Sequence, residues 1–134
     1  MITIVTRWET HQMPAELEWR MWHQLRGAFK IDRFVFVPIV DELSGIAIDQ
    51  FATMEEALES CEGQLVFLEP TGGKTVSEIP AGDIVLVLGN SGRNNLKHAA
   101  EDETYRIAYA GPSCLYGTNA AAIALAYRRD HYEC

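Results

Sequence analysis

The sequence predicts an α/β protein with a mostly parallel sheet and helices on both faces. Three observations carry this. Apolar strands alternate along the chain with helical patterns. The strands are runs of Val, Ile, Leu and Phe, such as RFVFVPIV and DIVLVL, without the polar alternation of a half-exposed strand. The chain has 134 residues, 48% of them hydrophobic, enough for one domain with its own core. It shows no internal repeat, low-complexity tract or linker, so residues 1–134 read as a single domain.

The elements follow in order. Ile2 to Thr6 is a β-branched strand. Pro14 suits the first turn of a helix running to about Lys30, with Ala15, Trp19, Trp22 and Phe29 on one stripe. Arg33 to Val40 is an apolar strand interrupted by Pro38. Thr53 and Glu56 form a capping-box pattern, Met54, Ala57, Leu58 and Cys61 supply the stripe of a second helix, and Gly63 ends it. Gln64 to Leu68 and Asp83 to Leu88 are strands. A weak helix is expected from Leu96 to Glu101, then a last strand from Tyr105 to Ala110. Thr118 can cap a final helix through Tyr127, apolar on every side at its start and so buried, against the core or a second subunit.

Charge is unevenly placed. The net charge is −8, and residues 41–70 hold eight acidic side chains and no basic one. That stretch reads as a solvated face. Net acidity repels nucleic acid at long range, yet Arg20, Arg26, Lys30 and Arg33 cluster in the near-neutral first segment. No apolar run reaches the ~20 residues of a membrane span, and the N-terminus lacks the pattern of a signal peptide. Cys61, Cys114 and Cys134 form neither a disulfide framework nor a zinc pattern, which points to a reducing cytoplasm. No metal site is expected, since His11, His23, His98 and His131 stand far apart.

In open parallel sheets ligands bind beyond the carboxyl ends of the strands. Three glycine-containing loops fall there: Glu69–Lys74, Gly89–Gly92 and Gly111–Gly117. Their convergence predicts a small-molecule site lined by backbone. Gly72-Gly73-Lys74-Thr75 imitates the end of a phosphate-binding loop, but the first glycine of that motif would stand at Leu68. Cys114 lies in a loop before a helix, a setting that can activate a thiol, or is simply a small loop residue. Arg26 interrupts the apolar stripe of the first helix. It must reach water, a carboxylate or a ligand, because an unpaired buried Arg is not tolerated.

The order of these loops resembles the SpoU-type (TrmH-like) RNA 2′-O-methyltransferases of the SPOUT superfamily. Gly82-Asp-Ile-Val-Leu-Val-Leu-Gly89 is similar to the strand and glycine of that family's second motif, and Cys114 to Tyr127 to its third. Leu25-Arg26 followed by Phe34-Val-Phe-Val-Pro38 is similar to the first. The resemblance implies a C-terminal trefoil knot, a homodimer built on the first and last helices, and S-adenosylmethionine held bent by the three loops. It places the cofactor on Thr71, Gly72, Gly89, Gly92, Ile107, Tyr109, Leu115 and Asn119, and gives Arg26 the catalytic position. The chain departs from the family at Ser91, where a Glu is usual, at Cys114 and Tyr116, where Ser and Asn are usual, and in having Arg20 near the place of an Asn. Three readings stand beside one another: a methyltransferase acting on a ribose 2′-hydroxyl of RNA, with tRNA foremost; a non-catalytic SPOUT-like homodimeric binding module; and an unrelated nucleotide-binding α/β protein.

Overall fold

The computed structural model describes residues 1–90, 93–107 and 115–133, apart from the side chains of 131 and 133. Its centre is a seven-stranded sheet in the order β3-β2-β1-β6-β4-β7-β5, with every pair parallel. The strands are β1 (Ile2–Arg7), β2 (Arg33–Val37), β3 (Asp49–Gln50), β4 (Gln64–Leu68), β5 (Lys74–Thr75), β6 (Ile84–Leu88) and β7 (Thr104–Arg106). Among the described residues three α-helices cover them: α1 (Ala15–Phe29), α2 (Met54–Glu59) and α3 (Gly117–Glu133).

The period of two along each strand divides the core in two. Ile4, Phe34, Phe36, Leu68, Leu86 and Leu88 face one way and pack under Trp19 and Trp22 of α1 and Ala121, Ala124 and Leu125 of α3. Val5, Val35, Val37, Phe67, Val85 and Val87 face the other way, against Met54 and Ala57 of α2. Burial on both faces explains why the strands carry no polar alternation.

α1 is anchored at its start by a buried carboxylate. Glu18 accepts the backbone N–H of Glu9 at 2.7 Å and the indole N–H of Trp22 at 3.0 Å. Burial pushes this carboxyl above the usual range, against the lowering effect of those two hydrogen bonds. At the start of α2, Glu56 N–H donates to the Thr53 hydroxyl at 3.2 Å, and that hydroxyl donates to the Glu56 carboxylate at 3.0 Å.

Several boundaries differ from expectation. β2 stops at Val37, ahead of Pro38, which has no N–H to continue a ladder. α2 ends at Glu59, because the Ser60 hydroxyl turns back to the Ala57 carbonyl at 2.7 Å. Gly63 takes a left-handed φ of +130° one step before β4. The weak helix at Leu96 is two single 3-10 turns, Leu96–His98 and Glu101–Glu103. The second of these is closed by the Glu103 carboxylate accepting the Ala100 N–H at 2.9 Å. The last strand is Thr104–Arg106, and residues 108–110 of the expected strand lie outside the described residues. Residues 111–114, between that segment and α3, also lie outside them, so the expected knot falls partly on residues outside the description.

α3 begins at Gly117, so Thr118 stands inside its first turn, with a buried hydroxyl that has no partner among the described residues. The helix also runs past Tyr127. Arg128 donates to the carbonyls of Pro80 and Gly82 at 3.0 and 2.6 Å, and Arg129 donates to that of Ala28. These bonds fasten its last turns to the body of the domain.

Candidate small-molecule site

A cavity of about 740 Å³ opens at the carboxyl ends of β4, β6 and β7. Its floor is apolar: Leu68, Leu88, Tyr105, Ile107 and Ala120. Around the floor stand Glu69 to Thr71 after β4, Gly89 and Asn90 after β6, the stretch from Arg93 to Lys97, and Leu115 to Gly117 entering α3. The three loops singled out in the sequence thus meet at one rim, as far as their residues are described. The volume lies within the roughly 300–1,000 Å³ of small-molecule sites, and an apolar floor with a few polar groups is their usual chemistry.

Close backbone approach builds this rim. The turn after β6 is closed by paired bonds between Asn90 and Arg93, N–H to carbonyl at 3.0 and 3.2 Å. A Cβ on Gly89 would lie 2.3 Å from the Arg93 carbonyl oxygen, so only glycine fits there. A Cβ on Gly72 would lie 2.3 Å from the carbonyl carbon of Tyr105. That glycine lets the loop after β4 lie flat on β7, with Glu69 N–H bonded to the Tyr105 carbonyl at 2.9 Å.

A buried polar network ties the loops to β1 from behind. Arg7 donates through Nε to the Asn95 side-chain oxygen at 2.9 Å, and the Glu69 carboxylate accepts the Asn95 backbone N–H at 3.0 Å. Burial drives the Glu69 carboxyl up and the Arg7 guanidinium down from their ordinary values. Asn95 is fully buried, and its side-chain nitrogen has no partner among the described residues. Just beyond the ends of the paired strands β6 and β1, Asn90 donates to the Trp8 carbonyl at 2.8 Å. Rim and sheet therefore form one hydrogen-bonded unit.

Of the expected cofactor residues, Thr71, Gly89, Ile107 and Leu115 line the cavity. Gly72 stands behind it, packed on the Tyr105 backbone. Asn119 is exposed on α3 and is not among the lining residues, where Gly117 and Ala120 stand instead. Gly92, Tyr109 and Cys114 lie outside the described residues. The structure does not bring Arg26 to the cavity. Its guanidinium lies 5.2 Å from the ring centre of Phe34 and 5.9 Å from that of Trp19. Phe34 belongs to β2, which β1 separates from β6. The faces of two aromatic rings therefore answer what an Arg in an apolar stripe can reach.

Sequence reasoning missed Tyr105, Arg93 and Lys97 as lining residues. The polar run Asn90 to Asn95 marked a turn, but Asn95 is held by the buried Arg7–Asn95–Glu69 network, which links residues far apart in sequence. Among the described residues no group of His, Cys, Asp and Glu could hold a metal ion. Nor is any helix among them long and apolar enough to cross a membrane.

No family model matches the sequence, and a sequence search of curated proteins finds no relative. The chain is similar to a candidate RNA methyltransferase from Bacillus anthracis, with a TM-score of 0.75 at 16% identity, over 98% of this chain and 94% of that one. An AdoMet-bound rRNA methyltransferase from Sinorhizobium meliloti matches with a TM-score of 0.70 at 19% identity, over 99% of this chain and 56% of that one. The SpoU methyltransferase AviRb from Streptomyces viridochromogenes, in complex with AdoMet, matches with a TM-score of 0.69 at 18% identity, over 97% and 60%. The chain thus spans little more than half the length of the last two. It has the fold of SpoU-type methyltransferase structures along its whole described length, the fold class the motif order resembles.

Proposed function

We propose that this chain binds S-adenosylmethionine in the cavity beyond β4, β6 and β7 and methylates RNA at a ribose 2′-hydroxyl, with tRNA the foremost substrate. One observation carries the reading: three loops distant in sequence close around one apolar floor at the carboxyl edge of a parallel sheet, in a fold whose solved relatives include AdoMet complexes. When bound, S-adenosylmethionine supplies a methyl group on a sulfonium centre, ready for direct displacement. The chain's own part is positioning. Leu68, Leu88 and Tyr105 offer an apolar bed for a planar base, and the loop backbones at Thr71, Gly89 and Leu115 offer hydrogen-bonding groups at its edges.

Arg26 belongs to this proposal only through a homodimer. In one copy it rests on Phe34 and Trp19, so it meets a cavity only if α1 of one copy faces the rim of another. Its permanent charge suits anchoring a phosphate or orienting the acceptor hydroxyl rather than taking up a proton.

The position of Arg26 also favours a second reading, a non-catalytic homodimeric module that keeps the ligand cavity. Two measurements separate the readings. Calorimetry with S-adenosylmethionine and with ATP tests the cavity. Binding of the first is expected, and binding of ATP alone would make this an unrelated nucleotide-binding protein. Incubation with methyl-labelled S-adenosylmethionine and bulk tRNA tests the chemistry. Label in RNA is expected, and binding without transfer would leave the non-catalytic module.

A further inference from the structure

The basic side chains are not equally available to a partner. Arg20 and Arg33, two of the four cations clustered in the first segment, are committed to Glu16 at 3.1 Å and Asp49 at 2.7 Å. Arg26 lies over aromatic rings. Arg106 is spent on the carbonyl of Gly72 at 2.8 Å.

Arg93 and Lys97 differ. Both are exposed, both line the cavity, and neither side chain makes a hydrogen bond or ion pair among the described residues. The one acidic residue among the described lining positions is Glu69. Its carboxylate is taken by the Asn95 N–H at 3.0 Å and lies near Arg7, so it does not neutralise them. Glu55 lies within electrostatic range of Lys97 but forms no salt bridge with it, and its carboxylate stands 3.7 Å from His98 Nδ1. The backbone that carries the two cations is held by the buried Arg7–Asn95 bond. A pair of uncommitted cations at the mouth of a cavity, on a chain of net charge −8, suits a polyanion that must be drawn to one place and kept from the rest.

We infer that Arg93 and Lys97 form a phosphate-binding rim that seats the RNA backbone beside the cavity. This rests on the proposed RNA reading and moves the contact from the first helix to the turn after β6. The test uses the full chain with Arg93→Gln and Lys97→Gln combined, and fluorescent single-stranded RNA titrated at a series of salt concentrations. Each lost phosphate contact on a single strand lowers the slope of log affinity against log salt by about 0.7, so the double variant should lose about 1.4. Arg20→Gln should leave the slope unchanged, and calorimetry should still find S-adenosylhomocysteine bound by both variants. An unchanged slope in the double variant would overturn the inference. Lost S-adenosylhomocysteine binding would also overturn it, since the pair would then serve the small ligand. If the wild type binds S-adenosylhomocysteine but no RNA, the rim falls and the cofactor site stands. If it binds RNA with the expected slope change but no S-adenosylhomocysteine, the cofactor reading falls and the rim stands.

Discussion

Replacing Gly89 by alanine places a methyl carbon 2.3 Å from the Arg93 carbonyl oxygen and 3.1 Å from the Asn94 Cα. Both are backbone atoms, so no side-chain rotation relieves the contact. A carbon and a carbonyl oxygen rest at roughly 3.3 Å or more, so the turn must open by about 1 Å. Opening breaks the two Asn90–Arg93 bonds that close it. Overpacking costs about 1–3 kcal/mol, and two backbone bonds contribute about 1 kcal/mol each. Part of this is recovered by relaxation, which leaves about 2–4 kcal/mol of destabilisation. For a chain of this length each kcal/mol moves the melting midpoint by about 4 °C, so Gly89→Ala should melt about 8–16 °C lower.

The matched control is Gly27→Ala. Gly27 lies inside α1, and a Cβ there meets nothing within 4 Å. Alanine in a helix is favoured over glycine by about 0.5–1 kcal/mol, so this variant should melt about 2–4 °C higher. Circular dichroism melts of the three proteins decide the matter, with calorimetry on S-adenosylhomocysteine alongside. Ligand affinity should fall for Gly89→Ala and hold for Gly27→Ala. A Gly89→Ala protein that melts with the wild type would refute the claim that close backbone approach builds the rim.

Trp22→Phe removes the indole N–H that donates to Glu18. With its carboxyl raised by burial, Glu18 contributes stability that is fully present below the usual carboxylate range and lost as pH rises through the raised value. The variant should lose about 1–3 kcal/mol at neutral pH, where a buried carboxylate is left short of a donor, and less near pH 4. Urea unfolding at both values measures this, and an equal deficit at both would show that the hydrogen bond is not responsible. Arg26→Ala should cost about 1 kcal/mol or less, as two partly exposed ring contacts are lost. It should spare S-adenosylhomocysteine binding and abolish methyl transfer, and wild-type transfer rates in the variant would remove Arg26 from the reaction.

The strands that form the middle of the sheet were legible because their residues are buried on both faces, and a run such as Ile84 to Leu88 has no other stable place. The convergence of the loops was legible for the same reason, since a parallel sheet sends every strand end to one edge. β3 and β5 were not, because two residues carry no period and their pairing is set by what lies beside them. Gly72 to Thr75 imitates the end of a phosphate-binding loop until the Glu78 carboxylate is seen closing a turn on the Thr75 N–H at 2.7 Å. Arg26 was legible as an anomaly but not in its destination. Spacing on a helix tells which face a side chain takes, not which neighbour the face meets. The Arg7–Asn95–Glu69 network could not be read from order alone, because it joins three residues from separate loops and strands.

The two outermost strands are both stubs of two residues. A sheet ended in this way offers almost no free ladder to a passing chain, whereas its inner strands would be adhesive if laid bare. On the β3 margin the discouragement is doubled, because that strand sits within the acidic stretch and like margins repel. Lateral zippering into fibres is thereby starved at both flanks, and lengthening either stub by a few Val or Ile residues would create a polymerising surface where the fold now has a hem.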